Sequence, residues 1–258
     1  MSKSRLEVEI VGGGKNLVCL HSLLSDKSSF APLVERLAGR RRMILVNMPG
    51  FGASPPAEPI DGYGDAVAEL FGDLSLPRDT DVIGNGLGGF VTLSLAARHG
   101  QEFERAVLIG SAVAFPEEGR AKFRGLAERA EREGMAALAD TAMKRMFSDA
   151  FIAKNPELIA DRKAVYARID PKVFAKAARA LATLDLGPQL EKIRNPLLVV
   201  VGSEDGATPP ALGRALAQRV RGARMVEMPG LGHCPHIQDP DAFIAAVSDF
   251  LGLKTAAA

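Results

Sequence analysis

Short apolar runs alternate with segments of helical spacing along most of this chain. Residues 6–10 alternate, with Leu6, Val8 and Ile10 on one face, and three glycines at 12–14 turn the chain. Residues 17–21 form a nearly continuous apolar run, the mark of a strand buried on both faces. After a loop at 22–27, Phe30, Leu33, Val34 and Leu37 recur at helical spacing. A second buried strand at 43–46 runs into the turn-rich stretch 49–54. Val67, Leu70 and Phe71 mark a helix within 61–74, and 81–85 reads as the next strand. That strand turns abruptly, through Gly84, Gly86, Gly88 and Gly89, into a helical pattern reaching about residue 99, and 105–109 reads as a further strand. Strands separated by helices predict βαβ units and an α/β fold, a mostly parallel sheet with helices on both faces.

The alternation stops after Ser111. Residues 117–190 are rich in Ala, Arg, Glu and Lys, and the spacing predicts helices over 121–132, 136–147, 155–166 and 171–183. Pro156 and Pro171 fall near helix starts, where proline is tolerated. A strand at 197–201, a helix at 209–220, a strand at 223–228 and a last helix at 240–250 resume the pattern, and a frayed tail is expected at 254–258. The predicted organisation is a core of residues 1–114 and 191–258 with a helical cap of residues 115–190. Ligands of open α/β sheets bind outside the carboxyl ends of the strands, so an insertion there would cover the site.

Composition narrows the partners. The 258 residues are 47% hydrophobic and 24% charged, and the net charge is +1. No bulk attraction to nucleic acid or to an anionic membrane follows. The run Arg40, Arg41, Arg42 reads as a solvated connection ahead of a strand. No stretch reaches the roughly 18 apolar residues of a membrane span, and the start of the chain leads into an alternating pattern rather than an apolar signal segment. Two cysteines, Cys19 and Cys234, fit a reduced, cytoplasmic protein, and their spacing gives no metal site. The expectation is a small-molecule substrate with no cofactor. The pattern sets no oligomeric state.

Four loops follow predicted strands and should emerge at one sheet edge. They carry His21-Ser22-Leu23-Leu24, Gly84-Asn85-Gly86-Leu87-Gly88-Gly89, Gly202-Ser203-Glu204-Asp205 and Gly230-Leu231-Gly232-His233. With these in order the chain resembles the α/β-hydrolase superfamily over nearly its whole length, with a nucleophile elbow, then an acid, then a histidine. Pro49-Gly50-Phe51-Gly52-Ala53-Ser54 looks like that superfamily's loop after its fourth strand. The resemblance implies an α/β-hydrolase fold with the cap between the superfamily's sixth and seventh strands. It implies that His233 is the general base and that Asp205 orients it, with Glu204 as the rival acid. The superfamily's other acid position falls on Ser111-Ala112-Val113, which holds no carboxylate. The oxyanion hole would be the backbone N–H groups of Leu23 and Leu87. Where the superfamily usually has His-Gly this chain has His21-Ser22, and the Ser22 hydroxyl would point into the site, meeting substrate, or cap its loop. His236 reads as a structural or rim residue.

The centre of the elbow is Gly86, where a serine would carry the nucleophile. Glycine accepts the strained elbow backbone with little cost, so the shape should persist while the hydroxyl is absent. Three readings stand: a serine removed by substitution, a natural serine-less enzyme in which His233 activates water, and a non-catalytic ligand-binding protein on a hydrolase scaffold. No replacement nucleophile is persuasive: Cys234 follows His233 directly and points differently in an extended loop, Ser111 reads as a cap to the inserted helical region, and Asn85 as a local hydrogen-bonding residue. Superfamily members with aspartate at the elbow, the epoxide hydrolases and haloalkane dehalogenases, do not fit Gly86. The resemblance implies an ester, lactone, thioester or the C–C bond of a vinylogous diketone as substrate. Phe123, Met135, Met143, Met146, Phe147, Phe151 and Phe174 read more as cap core than as pocket. Arg124, Arg145 and Arg168 are candidates to meet a substrate carboxylate, against a plainer reading as solvated helix faces.

Overall fold

The computed structural model describes residues 6–253. Strands β1 (Val8–Val11), β2 (Lys15–Leu20) and β3 (Arg41–Val46) come first, with helix α1 (Ala31–Leu37) between the last two. Helix α2 (Asp61–Asp73), strand β4 (Asp81–Asn85), helix α3 (Leu87–His99) and strand β5 (Arg105–Ile109) follow. Five helices then intervene: α4 (Glu117–Glu133), α5 (Ala139–Met146), α6 (Asp149–Lys154), α7 (Pro156–Ala167) and α8 (Pro171–Ala182). Strand β6 (Leu197–Gly202), helix α9 (Pro210–Arg219), strand β7 (Arg224–Met228) and helices α10 (Pro235–Gln238) and α11 (Pro240–Leu251) complete the described chain. The seven strands form one sheet in the order β1-β3-β2-β4-β5-β6-β7, and only β1 runs antiparallel to its neighbour.

The continuous apolar runs are strands because both faces of the sheet are covered. Side chains alternate, so Val18, Leu20, Val82 and Leu108 face one apolar layer with α2, α3 and the inserted helices. Leu17, Cys19, Ile83 and Val107 face the other, with α1 and α11. Cys19 is fully buried there, as expected of a small apolar residue. The α/β fold expected from the sequence is the fold observed. The helical insertion falls between the fifth and sixth strands of this chain, and it contains one helix the spacing did not reveal. That helix, α6, is a six-residue turn capped by Ser148 and too short to show a period.

Ala127, Ala130, Ala175 and Ala178 are buried where α4 and α8 pack, so the two backbones can approach closely. An edge-to-face ladder joins the insertion to the sheet. Phe90 on α3 meets Phe115 at 5.5 Å, and Phe115 meets Phe123 on α4 at 4.8 Å.

The arginine run differs from expectation. Arg41 is buried, not solvated, and its guanidinium lies 2.9 Å from the fully buried carboxylate of Asp81. It also donates to the carbonyl of Leu251, which ties α11 to the sheet. Lys15 (3.1 Å) and Arg105 (3.0 Å) complete the shell around Asp81. A strand sends alternate side chains to opposite faces, so one member of a charged triplet is carried inward, and here a carboxylate receives it. Removing one partner of a buried ion pair strands the other charge and costs about 3–5 kcal/mol. Asp81→Ala is therefore expected to lower the melting temperature by on the order of 10 °C in calorimetry, given roughly 2–4 °C per kcal/mol at this chain length. An unchanged transition would remove this shell from the account of stability.

Candidate active site

The chain leaves β2 for β3 on one side of the sheet and reaches β4 on the other, so the order reverses between β2 and β4. Loops diverge at such a point and leave a crevice at the carboxyl ends. Strands β2 and β4 pair Leu17 with Asp81 and Leu20 with Gly84, and the same offset carried forward sets Ser22 beside Gly86. Two backbone bonds hold the turn: Gly86 N–H donates to Ile109 O (2.8 Å), and Gly88 N–H donates to His21 O (3.0 Å).

Gly86 has φ 51° and ψ −112°, a backbone that strains any residue with a side chain. The sharp turn expected at an elbow is present. A methyl group placed on Gly86 would lie 2.6 Å from His233 Nε2 and 2.9 Å from Ser22 Oγ. The imidazole and the hydroxyl therefore converge on the one position that carries no side chain.

His233 is buried, and its Nδ1 lies 2.8 Å from Asp205 Oδ2. The other carboxylate oxygen, Oδ1, accepts from the N–H groups of Ala207 (2.8 Å) and Thr208 (2.7 Å), which fixes the carboxylate plane. An acid so placed keeps the proton on Nδ1 and leaves Nε2 as an acceptor. Glu204, the rival acid, is exposed and away from the ring. Asn85 reaches further than the local bonding expected of it. Its Nδ2 donates to the carbonyl of His233 at 2.9 Å, and its Oδ1 lies 3.4 Å from Cys234 Sγ. Cys234 is wholly buried, and burial pushes its thiol well above the usual range, so it stays protonated.

Leu23 lies on the loop after β2 and Leu87 opens α3, on either side of the crevice, and among the described residues neither N–H meets an acceptor. His21 orients the first of them. Met48 N–H donates to His21 Nε2 (3.0 Å), so the ring proton is on Nδ1, which donates to Ser22 O at 2.8 Å. Burial holds this imidazole neutral, its pKa pushed down to about 4. A trans peptide directs its N–H opposite its C=O, so fixing the Ser22 carbonyl aims the Leu23 N–H. The arrangement can take up a proton at Nε2 and can hold negative charge on an oxygen near two N–H groups.

A narrow cavity opens at Gly86, and its walls include Leu24, Phe90, Phe123, Leu126, Leu181 and Arg145. Phe123 is thus a wall residue, while Met135, Met143, Met146, Phe147 and Phe174 are buried among other apolar side chains. Arg145 is half-buried, sits over the Phe123 ring at 5.7 Å, and makes no hydrogen bond or ion pair among the described residues. Arg124 pairs with Glu117 at the surface, and Arg168 is exposed, so neither faces the cavity. Among the described residues no group of three His, Cys, Asp or Glu could hold a metal ion, and no helix is long and apolar enough to cross a membrane.

Residues 17–246 match the Alpha/beta hydrolase family. The chain belongs to that family. It is an α/β-hydrolase, similar to esterases and enol-lactonases. It is 29% identical to a pimeloyl-[acyl-carrier protein] methyl ester esterase of Neisseria meningitidis, an alignment covering 92% of this chain and 77% of the relative. It is 28% identical to a 3-oxoadipate enol-lactonase of Acinetobacter baylyi, over 90% of this chain and 86% of that one. The crystal structure of an enol-lactonase from Burkholderia xenovorans superposes with a TM-score of 0.89 at 31% identity, covering 96% of each chain.

Three residues near the site add to or refine the reading of the sequence. Gly110, with φ 58°, lies against the site; a methyl group there would be 2.5 Å from His233 Nδ1 and 3.0 Å from Asp205 Oδ2. Its only signal was a glycine directly after an apolar strand. Ser111, expected to cap the inserted region, instead bonds weakly back to Ile109 O and fills space against Gly89, while the first inserted helix starts beyond Pro116. Of the two readings of His236, structural or rim, burial favours the structural one. The ring stacks on Phe30 at 5.1 Å, and neither ring nitrogen has a partner among the described residues.

Gly110→Ala should push the imidazole off Asp205. In proton NMR the low-field Nδ1–H signal of that pair is expected to vanish while the amide spectrum stays folded; a retained signal would show that the ring tolerates the methyl. Burial lowers the His236 pKa to about 3, against about 6.5 in an unfolded chain. The unfolded state therefore takes up a proton first as pH falls, so the stability tied to neutral His236 is whole above about 6.5 and declines as pH drops toward 3. His236→Phe should flatten the fall in urea midpoint between pH 7 and pH 4.5, with His21 supplying what slope remains. An equally steep fall in the variant would discount the ring.

Proposed function

We propose that this protein hydrolyses the carbonyl bond of a small, anionic ester or lactone. His233, oriented by Asp205, is the base; the N–H groups of Leu23 and Leu87 form the oxyanion hole; and residues 115–190 act as a lid over the core of residues 1–114 and 191–258. The observation that carries this reading is the His233–Asp205 contact of 2.8 Å with Nε2 directed at the Gly86 position between the two free N–H groups. The named esterase and enol-lactonase relatives support an ester or lactone over the other carbonyl substrates.

Arg145 supports the negative charge. A guanidinium with no hydrogen bond or ion pair among the described residues, on the wall of a largely apolar cavity, has donors that a ligand carboxylate or similar group would satisfy. It also borders a second cleft, lined by Lys122 and its ion-pair partner Glu118, into which an elongated substrate could extend outward from the reacting carbonyl.

Short-chain esters and lactones, each with and without a terminal carboxylate, test the reading. Turnover is expected to favour the carboxylate forms and to disappear in His233→Ala. Arg145→Met should raise KM for the anionic substrates by roughly 10- to 100-fold, the size of a lost charged hydrogen bond, with little change for neutral ones. Equal rates in the unaltered protein and His233→Ala would sink the assignment. Binding of the same compounds with no product formed would establish a ligand-binding protein instead.

A further inference from the structure

We propose that the Ser22 hydroxyl is the nucleophile of this hydrolase, acting from the loop after β2 in place of the side chain that Gly86 lacks. The proposal rests on the carbonyl-hydrolysis reading above and adds to it the atom that forms the covalent bond.

Ser22 Oγ stands within 2.9 Å of the point where a side chain on Gly86 would begin, and His233 Nε2 within 2.6 Å of that point. The backbone register explains the placement. The loop after β2 runs beside the elbow, so a hydroxyl offered from residue 22 enters the space above residue 86 from the neighbouring strand. A carbon on residue 86 would stand 2.9 Å from the Ser22 oxygen, so a side chain there would make the Ser22 hydroxyl turn aside from the space it now faces. The glycine elbow and the serine in the neighbouring loop form one complementary pair: the hydroxyl has moved rather than gone.

The bonding state of Ser22 fits. Its one hydrogen bond among the described residues is a long acceptance from Leu24 N–H at 3.5 Å, so its proton has no acceptor. His233 Nε2 has no donor among the described residues, where the one hydrogen bond of the ring is made through Nδ1. A donor without an acceptor and an acceptor without a donor share one small cavity. His21 and Ser25 N–H both bond the Ser22 carbonyl, so the backbone that carries the hydroxyl is held. The residue after Ser22 is Leu23, one of the two proposed oxyanion donors, as Leu87 follows the elbow centre.

The step is balanced. Ser22 Oγ forms a bond to the carbonyl carbon and gives its proton to His233 Nε2, while the carbonyl electron pair moves to oxygen and is held by the two N–H groups. The oxyanion collapses, the C–O bond to the leaving group breaks, and that oxygen takes the proton from Nε2. The acyl group is left as an ester of Ser22. Water then gives a proton to Nε2 and attacks the same carbon. The carboxylic acid leaves, and the proton returns to Ser22 Oγ. In sum, ester and water give acid and alcohol.

The test begins with the unaltered protein and an alkyl fluorophosphonate. Intact mass and peptide mapping are expected to show one phosphonyl adduct on Ser22, formed far more slowly in His233→Ala. Ser22→Ala should lose turnover by on the order of 10³–10⁶-fold at an unchanged melting temperature. Ser22→Cys should accumulate a mass-detectable acyl-enzyme with a p-nitrophenyl ester. Gly86→Ser should bring no gain, because its side chain crowds Ser22. Two results would overturn the proposal: turnover that survives Ser22→Ala but not His233→Ala, which leaves the hydrolase reading standing with water as the attacking group, or a Gly86→Ser gain of several orders of magnitude with the adduct at position 86. Loss of turnover in neither Ser22→Ala nor His233→Ala would instead strike at the hydrolase reading itself.

Discussion

The constraint on which the site depends is the reversal of strand order between β2 and β4. Adjacent parallel strands in fixed register deliver their carboxyl-end loops to the same height, and at the reversal those loops diverge. One of them supplies His21, Ser22 and Leu23, and the other supplies Gly86 and Leu87. Strand β5, on the far side of β4, contributes the close-packed Gly110, and the loops after β6 and β7 add Asp205 and His233. Each group comes from a different segment, and the sheet alone brings them within bonding distance.

The opposite end of the sheet works in the reverse sense. There Asp81, at the start of β4, is enclosed by Arg41, Lys15 and Arg105, and every charge has a partner. At the carboxyl ends the polar groups are left open: the Leu23 and Leu87 N–H groups, His233 Nε2 and the Arg145 guanidinium make no hydrogen bond or ion pair among the described residues. Leaving buried polar groups unpaired is unfavourable, and a protein that satisfies one end so fully while leaving the other open has placed that cost where a ligand can recover it. The His21 ring shows the same economy of position, since it is fully bonded, neutral and buried, and its role is to hold a peptide rather than to react.

Much of this was legible in the chain. Period and punctuation located the strands: the central ones because a strand buried on both faces must be written as an apolar run whatever its neighbours are, and the edge strand β1 by its alternation. The loop motifs nominated Asp205, His233, Leu23, Leu87 and Gly86, since each needs a particular residue type after a strand. Arg41 was not legible: a three-arginine run looks the same whether its middle member faces water or Asp81, and the partner lies 40 residues away. The short helix α6 and the burial of His236 were hidden for related reasons, one too brief to show a period and the other decided by Phe30 and Phe243 packing around it.

The sequence by itself determined the strand and helix order, the sharp glycine turn after β4, and the absence of a side chain at its centre. These are local properties, set by hydrophobic period and by the backbone freedom of one residue. Only the tertiary structure decided that Ser22 stands beside Gly86, that Asn85 holds the His233 carbonyl, and that Arg145 meets the cavity without a hydrogen bond or ion pair among the described residues. Those relations join residues tens to hundreds of positions apart. They depend on strand register and on the packing of an inserted helical segment, which no spacing along one chain can express.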